Sequence, residues 1–161
     1  DSVPFLREHY PQVELLQLDQ NYGFAEGYNR ALSRIEADCY VLLNSDVEVE
    51  EGWLNPLVTR LAADEKVAAL APKIISYERK SDFEYAGAAG GFIDCFGYPF
   101  CRGRILDTIE KDQGQYDTAR EVFWASGACM VVRADLFHKL GGFDGDFFDG
   151  VGGISCDGRT P

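Results

Sequence analysis

The stretch VLLNSDVEVEEGWL, residues 41–54, sets a short apolar run against a group of carboxylates. Val41, Leu42 and Leu43 lead into Asn44-Ser45-Asp46, and Glu48, Glu50 and Glu51 follow at once. In open α/β sheets ligands bind outside the carboxyl ends of the strands. A polar-x-Asp placed there suits a Mg²⁺ or Mn²⁺ ion held by one or two protein carboxylates, with phosphate oxygens and water completing its shell. Such an ion neutralises a diphosphate leaving group. Asn and Asp also make ordinary turns and cap the helices that follow them. Spacing alone leaves both readings open.

A second stretch, NYGFAEGYNRAL at 21–32, places Asn21, Gly23, Gly27 and Asn29 around a helix start. Glycine lets a ligand approach the backbone, and a helix N-terminus favours anions. A glycine-rich loop before a helix is common, so this stretch is suggestive only beside the first.

The elements that must hold these residues can be read from apolar periodicity. Residues 13–18, VELLQL, read as a strand, and 19–23 as a loop. Phe24, Tyr28, Ala31, Leu32 and Ile35 recur at helical spacing, which predicts a helix over about 25–36. Residues 40–43 make the next strand. Leu54, Leu57, Val58 and Leu61 mark another helix, with Pro56 tolerated in its first turn. Residues 67–71 make a third strand. The order strand, helix, strand, helix, strand predicts a parallel sheet with right-handed crossovers.

The middle of the chain differs. Residues 84–104, EYAGAAGGFIDCFGYPFCRGR, are rich in glycine and aromatics without a helical period, and read as irregular hairpins and loops that form a substrate-facing excursion. Arg102 and Arg104 in that region offer either a phosphate contact or surface pairs with Asp107 and Glu110. Residues 121–124 and 128–133 are strand-like, and a short helix at 136–140 ends at Gly141-Gly142. The tail beyond Phe148, with its glycines and terminal proline, reads as irregular.

Bulk properties narrow the function classes. The chain has 161 residues and is 46% hydrophobic and 13% aromatic, which is globular composition for a single domain. Its net charge of −12 disfavours nucleic-acid backbones and anionic membranes. No apolar run is long enough for a transmembrane helix. The first residues lack the plan of a signal peptide, and the chain does not begin with Met, so a fragment or processed form is expected. The five cysteines form no C-x-x-C, and His9 and His138 are far apart in sequence, which argues against zinc. Cys39 and Cys129 read as core residues, and a reducing, cytoplasmic setting fits best.

Three stretches in order, at 21–32, at 41–58 (VLLNSDVEVEEGWLNPLV) and at 124–148 (WASGACMVVRADLFHKLGGFDGDFF), resemble the nucleotide-sugar-dependent glycosyltransferases of family 2, in particular the bacterial rhamnosyltransferase-like members. The resemblance implies an α/β GT-A fold, a Rossmann-like mixed sheet flanked by helices and incomplete at the N-terminus. It implies one partial domain over 1–161, with 1–72 as the nucleotide and metal half and 73–161 as the acceptor half with an irregular tail at 149–161. It implies Asp46 as the ligand of Mg²⁺ or Mn²⁺, with Asn44 and Ser45 at ribose, phosphate or water. Asn21, Gly23 and Asn29 fall beside the nucleoside, although Asn29 also suits a helix residue bonded to a neighbouring loop. Trp124, Ser126 and Gly127 fall under the sugars, although Trp124 also suits core packing. Asp144 falls near the donor sugar, or is a turn residue after two glycines. The implied partners are a UDP- or dTDP-sugar donor and a saccharide or lipid-linked acceptor. The parent protein would associate peripherally with a membrane, and open strand edges would invite a homodimer.

The implied reaction is inverting, with a carboxylate taking the proton of the acceptor hydroxyl. The chain departs from the family where that base is expected: Gly152, Gly153, Ile154 and Ser155 stand in place of the acids. Glycine accepts no proton, so this chain by itself is expected to be a poor catalyst, and a non-catalytic module is the alternative. Nucleotidyl transfer is disfavoured by the lack of a basic glycine-rich loop.

Overall fold

The computed structural model describes residues 2–85 and 88–145. In chain order the elements are α1 (Ser2–His9), α2 (Gly23–Leu32), β1 (Cys39–Leu43), α3 (Leu54–Ala63) and β2 (Ala69–Leu70). Then come β3 (Gly91–Ile93), β4 (Pro99–Cys101), β5 (Arg104–Ile105), β6 (Thr108–Ile109), β7 (Cys129–Arg133) and α4 (Ala134–Lys139).

Two sheets organise the molecule. The first has the order β1-β7-β2, with β7 antiparallel to both neighbours. β1 and β2 therefore run the same way, as the β1-α3-β2 order leads one to expect, but they do not pair. A strand from some sixty residues later lies between them, so the parallel sheet expected from the first half is corrected to an antiparallel one. The reason is visible in β7: Cys129, Met130, Val131 and Val132 are all buried, which suits a central strand covered on both faces. β1 alternates instead, with Tyr40 and Leu42 buried and Val41 exposed, as an edge strand does. Among the described residues the other edge of β1 has no partner strand.

The main core lies on the face shared by Tyr40 and Leu42 of β1 and Met130 and Val132 of β7, covered by Leu32 from α2 and by Ala134 and Phe137 at α4. Phe24, Tyr28 and Phe143 extend it as a chain of tilted aromatic contacts. α4 ends in a turn of two left-handed glycines, with the Gly142 amide donating to the Phe137 carbonyl at 2.9 Å. On the α3 side, the Arg133 guanidinium donates to the carbonyls of Leu61, Asp64 and Val67, closing the end of the helix and the turn after it. Nothing in the sequence pattern singles Arg133 out for this.

The second sheet is a four-stranded meander, β3-β4-β5-β6, built in the glycine and aromatic region. It has a small core of its own: Phe83, Ala88 and Ala89, with Cys101 and Tyr116 against them. Trp124 joins the two sheets. Its backbone bridges Gly91, its indole N–H donates to the Phe92 carbonyl at 3.3 Å, and its ring lies so close over Gly91 that a Cβ there would fall 1.8 Å from Cε2.

Several local expectations change. Residues 13–18 form no strand, because a strand pattern without a neighbour leaves its amides and carbonyls unpaired. The helix expected to 36 ends at Leu32, and the strand expected over 67–71 shortens to Ala69–Leu70. Residues 121–124 contribute a single bridge rather than a strand. Helix α1 was not expected; it buries no residue. Pro56 does sit in the first turn of α3, and Cys129 is buried as expected, while Cys39 is half-buried. The tail at 149–161 lies outside the described residues.

Candidate functional site

Past the ends of β1 and β2 the chain opens into a cleft of about 620 Å³. One wall is the segment after β1, with Asn44, Asp46, Glu48 and Glu50. The other is the segment after β2, with Lys73, Tyr77, Lys80, Glu84 and Tyr85. Ala128 and Cys129 at the start of β7 also line it. This is the position at which strand ends in α/β folds receive ligands.

The local sequence explains the first wall. The Asn44 amide donates to the Ala128 carbonyl at 2.9 Å, the last rung between β1 and β7, and the Val47 amide turns back to the Asn44 carbonyl at 3.3 Å. The chain thus leaves the sheet in a tight turn, and Asp46 stands exposed on it. Both sequence readings of this stretch meet here, since the turn is what presents the carboxylate to the cleft. Among the described residues no three His, Cys, Asp or Glu side chains gather closely enough to cage a metal. Asp46 at the strand end beside open space fits an ion that arrives with phosphate oxygens, as Mg²⁺ does; Glu48, Glu50 and Glu84 also line the cleft but do not close into a dedicated protein cage.

Of the second wall, Glu84 and Tyr85 open the 84–104 segment expected to face substrate, whereas Lys73, Tyr77 and Lys80 were not singled out from sequence. Lys73 Nζ lies 2.5 Å from Asp112 and 2.6 Å from Asp117, so it ties the 112–117 segment to the cleft. Those hydrogen bonds, Asp112 first, raise the Lys73 pKa, while the lysine, followed by the Gly114 amide, lowers that of Asp112. The clip is therefore intact between two limits. Its stabilisation is lost as pH falls through the lowered Asp112 value and as pH rises through the raised Lys73 value. Lys73→Met should cost about 1 kcal/mol, the upper end for a partly exposed pair. Urea midpoints of the two proteins should differ by a constant amount at neutral pH and converge below the ordinary carboxylate range. A gap that persists in acid would count against this reading.

Lys80 reaches Glu48 at 3.7 Å, linking the two walls at an exposed point. Glu84 accepts from the Tyr85 backbone amide at 2.6 Å, which fixes its carboxylate against the chain at that residue.

The remaining sequence candidates lie elsewhere. Ser45 is exposed on the turn but does not line the cleft. Asn21 accepts from the Gly23 amide at 2.9 Å, an Asx turn that starts α2 with Gly23 at φ +72°. Asn29 donates to the Phe143 carbonyl at 2.8 Å and accepts from the Phe143 amide at 2.9 Å, clamping α2 to the turn after α4. Ser126 accepts from the Ala128 amide at 3.2 Å, and Gly127 lies under the Phe24 ring. Asp144 is exposed just after that clamp. Arg102 donates to the Ala89 carbonyl at 2.7 Å between the Phe92 and Tyr116 rings, and Arg104 donates to the Leu106 carbonyl at 3.0 Å. Gly152, Gly153 and Ser155 are outside the described residues.

An exposed carboxylate lies past a strand end of an α/β scaffold, beside a cleft, and comparison with known proteins gives the family. The chain belongs to Glycosyl transferase family 2, which it matches over residues 1–141. It is 28% identical over 138 residues to the O-antigen biosynthesis protein RfbC of Myxococcus xanthus, covering 85% of this chain and 10% of that protein. It is 26% identical over 160 residues to the N-acetylglucosaminyl-diphospho-decaprenol L-rhamnosyltransferase of Mycobacterium tuberculosis, covering 88% of this chain and 50% of that protein. It is 24% identical over 140 residues to N-acetylgalactosaminyltransferase 6 of Drosophila melanogaster, covering 87% of this chain and 21% of that protein. The chain thus spans half or less of the length of these relatives. No solved structure matches it significantly.

Proposed function

We propose that the cleft is the donor site of an inverting, metal-assisted glycosyltransferase that uses a UDP- or dTDP-sugar and a saccharide or lipid-linked acceptor. The observation that carries the reading is Asp46, exposed on the turn after β1 and lining the cleft. In this reading Asp46 holds Mg²⁺ or Mn²⁺ on the donor diphosphate, with Asn44 and Ser45 beside it. Bound there, the ion stabilises the charge of the departing diphosphate. Residues 1–72 serve the donor and 73–161 the acceptor. Asn21, Gly23 and Asn29 keep the α2 end in place behind the donor wall. Trp124, Ser126, Gly127 and Asp144 shape the acceptor half.

The acceptor hydroxyl attacks the anomeric carbon as the bond to the diphosphate breaks, and a carboxylate takes the hydroxyl proton. The resemblance implies acids where Gly152, Gly153 and Ser155 stand, beyond the residues matched to the family, and on that expectation a second reading is a module that binds nucleotide but turns over poorly. General-base loss costs a factor of about 10²–10⁴, so slow transfer is expected of this chain.

The names of the relatives support a rhamnosyltransferase-like role in making a surface polysaccharide or glycolipid. A cytoplasmic setting and peripheral membrane association of the whole protein are part of the proposal. No helix among the described residues is long and apolar enough to cross a membrane. A homodimer through the free edge of β1 belongs to the same reading, and a monomer by light scattering would remove it.

The experiment is calorimetric titration with UDP, dTDP and GDP, each with and without Mn²⁺. Metal-dependent binding of one nucleotide is expected. Binding of none would overturn the donor-site reading.

A further inference from the structure

We infer that Tyr77 and Tyr85 form a saccharide subsite on the wall of the cleft that follows β2. The inference rests on the donor-site reading above and adds the residues and ligand class of the facing wall.

Both rings line the cleft, and both stand in water: Tyr77 is 70% exposed and Tyr85 63%. Each is nevertheless held by a cation. Lys80 Nζ sits 4.8 Å from the centre of the Tyr77 ring, and Arg104 Cζ sits 4.6 Å from that of Tyr85. Arg104 is itself fixed by its bond to the Leu106 carbonyl, and Lys80 by its reach to Glu48. A cation against one face of a ring orients it and leaves the second face for a ligand.

The chemistry around the rings selects a sugar. Glu84, fixed at the Tyr85 backbone amide, and Glu48, paired with Lys80, supply carboxylate oxygens that accept from hydroxyl groups. A pyranose has an apolar C–H face for an aromatic ring and a rim of hydroxyl donors for carboxylates, so it meets both features together. A further anionic ligand would meet Asp46, Glu48, Glu50 and Glu84. Trp124, the aromatic expected from sequence to stack on a sugar, has its indole N–H on Phe92 and its face on Gly91, and it does not line the cleft. Trp53 also lines the cleft but is half-buried, so the exposed tyrosines are the rings most open to a ligand there.

The test is saturation-transfer NMR with the methyl glycosides of N-acetylglucosamine, galactose and rhamnose at millimolar concentration. It is paired with calorimetry of UDP, dTDP and GDP, each with Mn²⁺, and UDP stands below for whichever of the three binds. The wild-type chain should saturate the ring protons of at least one glycoside. Tyr77→Ala and Tyr85→Ala should each weaken that binding by about fivefold, the scale of one aromatic stack. Tyr85→Phe should retain it, since stacking needs the ring and not the hydroxyl. Both rings are exposed, so the variants should keep their thermal stability, and their UDP affinity should stay at the wild-type value.

The inference is overturned if UDP binds and no glycoside does, or if glycoside binding ignores both alanine variants. It is also overturned if the alanine variants lose UDP, because the rings would then hold the nucleoside. If neither UDP nor glycosides bind, the donor-site reading and the subsite fall together. If glycosides bind through the tyrosines and UDP does not bind, the subsite stands and the donor reading fails.

Discussion

Asp46→Ala is expected to abolish the metal-dependent part of nucleotide binding and to leave the fold intact. The carboxylate is exposed, and the turn that carries it is closed by backbone bonds from Asn44 and Val47, so the substitution removes charge without opening a cavity. With no cage of three acidic or His/Cys ligands among the described residues, Asp46 is the strongest protein ligand on the turn. Its loss should cost at least the roughly 10–100-fold that removal of even an outer-shell partner costs a metal site. The difference should appear only with Mn²⁺ present, because the metal-free nucleotide does not use the carboxylate. Asp46→Asn separates charge from shape: it can keep the turn but supplies a weaker, neutral ligand, so it should resemble alanine. Calorimetry of the three proteins with and without the ion decides the matter. An Asp46→Ala protein that binds nucleotide and Mn²⁺ as tightly as wild type would remove Asp46 from the site.

Why Asp46 could be found in the sequence as a single residue, and the facing wall only as a substrate-facing region from residue 84 onward, has a physical basis. Asp46 follows a short continuous apolar run that reads as a strand, and strand ends are where such folds place ligands. Lys73, Tyr77, Lys80, Glu84 and Tyr85 belong to irregular chain between β2 and β3, where no period says which side chain faces inward. Their common cleft follows from the hydrogen-bonded return of this segment, such as the bridge between Ile75 and Phe83. The strands of the meander are two or three residues long, too short for alternation to register.

Sheet order was hidden for a different reason. Element order along the chain correctly sets the common direction of β1 and β2, but not the insertion of β7 between them. The four consecutive buried residues of β7 were a sign of a central strand, and no local pattern names its neighbours. Residues 13–18 illustrate the converse. Their composition favours a strand, but pairing is a property of two segments. Asn29 is similar: its type fitted a ligand contact and a loop clamp equally, and the clamp on Phe143 is a contact across 114 positions in sequence.

Gly103→Ala should be strongly destabilising, and it should act on the cleft as well as on the fold. Gly103 has φ +89°, where an L side chain is strained. A Cβ there would lie 2.4 Å from Cγ of Phe83, a ring that is 1% exposed and packed against Tyr116. Strain of about 1–3 kcal/mol adds to an overpacking cost of about 1–3 kcal/mol. At about 2–4 °C per kcal/mol for a chain of this size, the melting temperature should fall by on the order of 10 °C. Gly97→Ala supplies the control, since Gly97 has nearly the same φ, +88°, and open space around the added carbon. It carries the strain without the collision, so the difference between the two variants isolates the Phe83 contact. Phe83 is followed directly by Glu84 and Tyr85, so a displaced ring should shift the second wall and weaken glycoside binding in whatever protein remains folded. Equal melting temperatures for the two variants would show that the ring yields freely, and that the core beneath this wall is not what holds it in place.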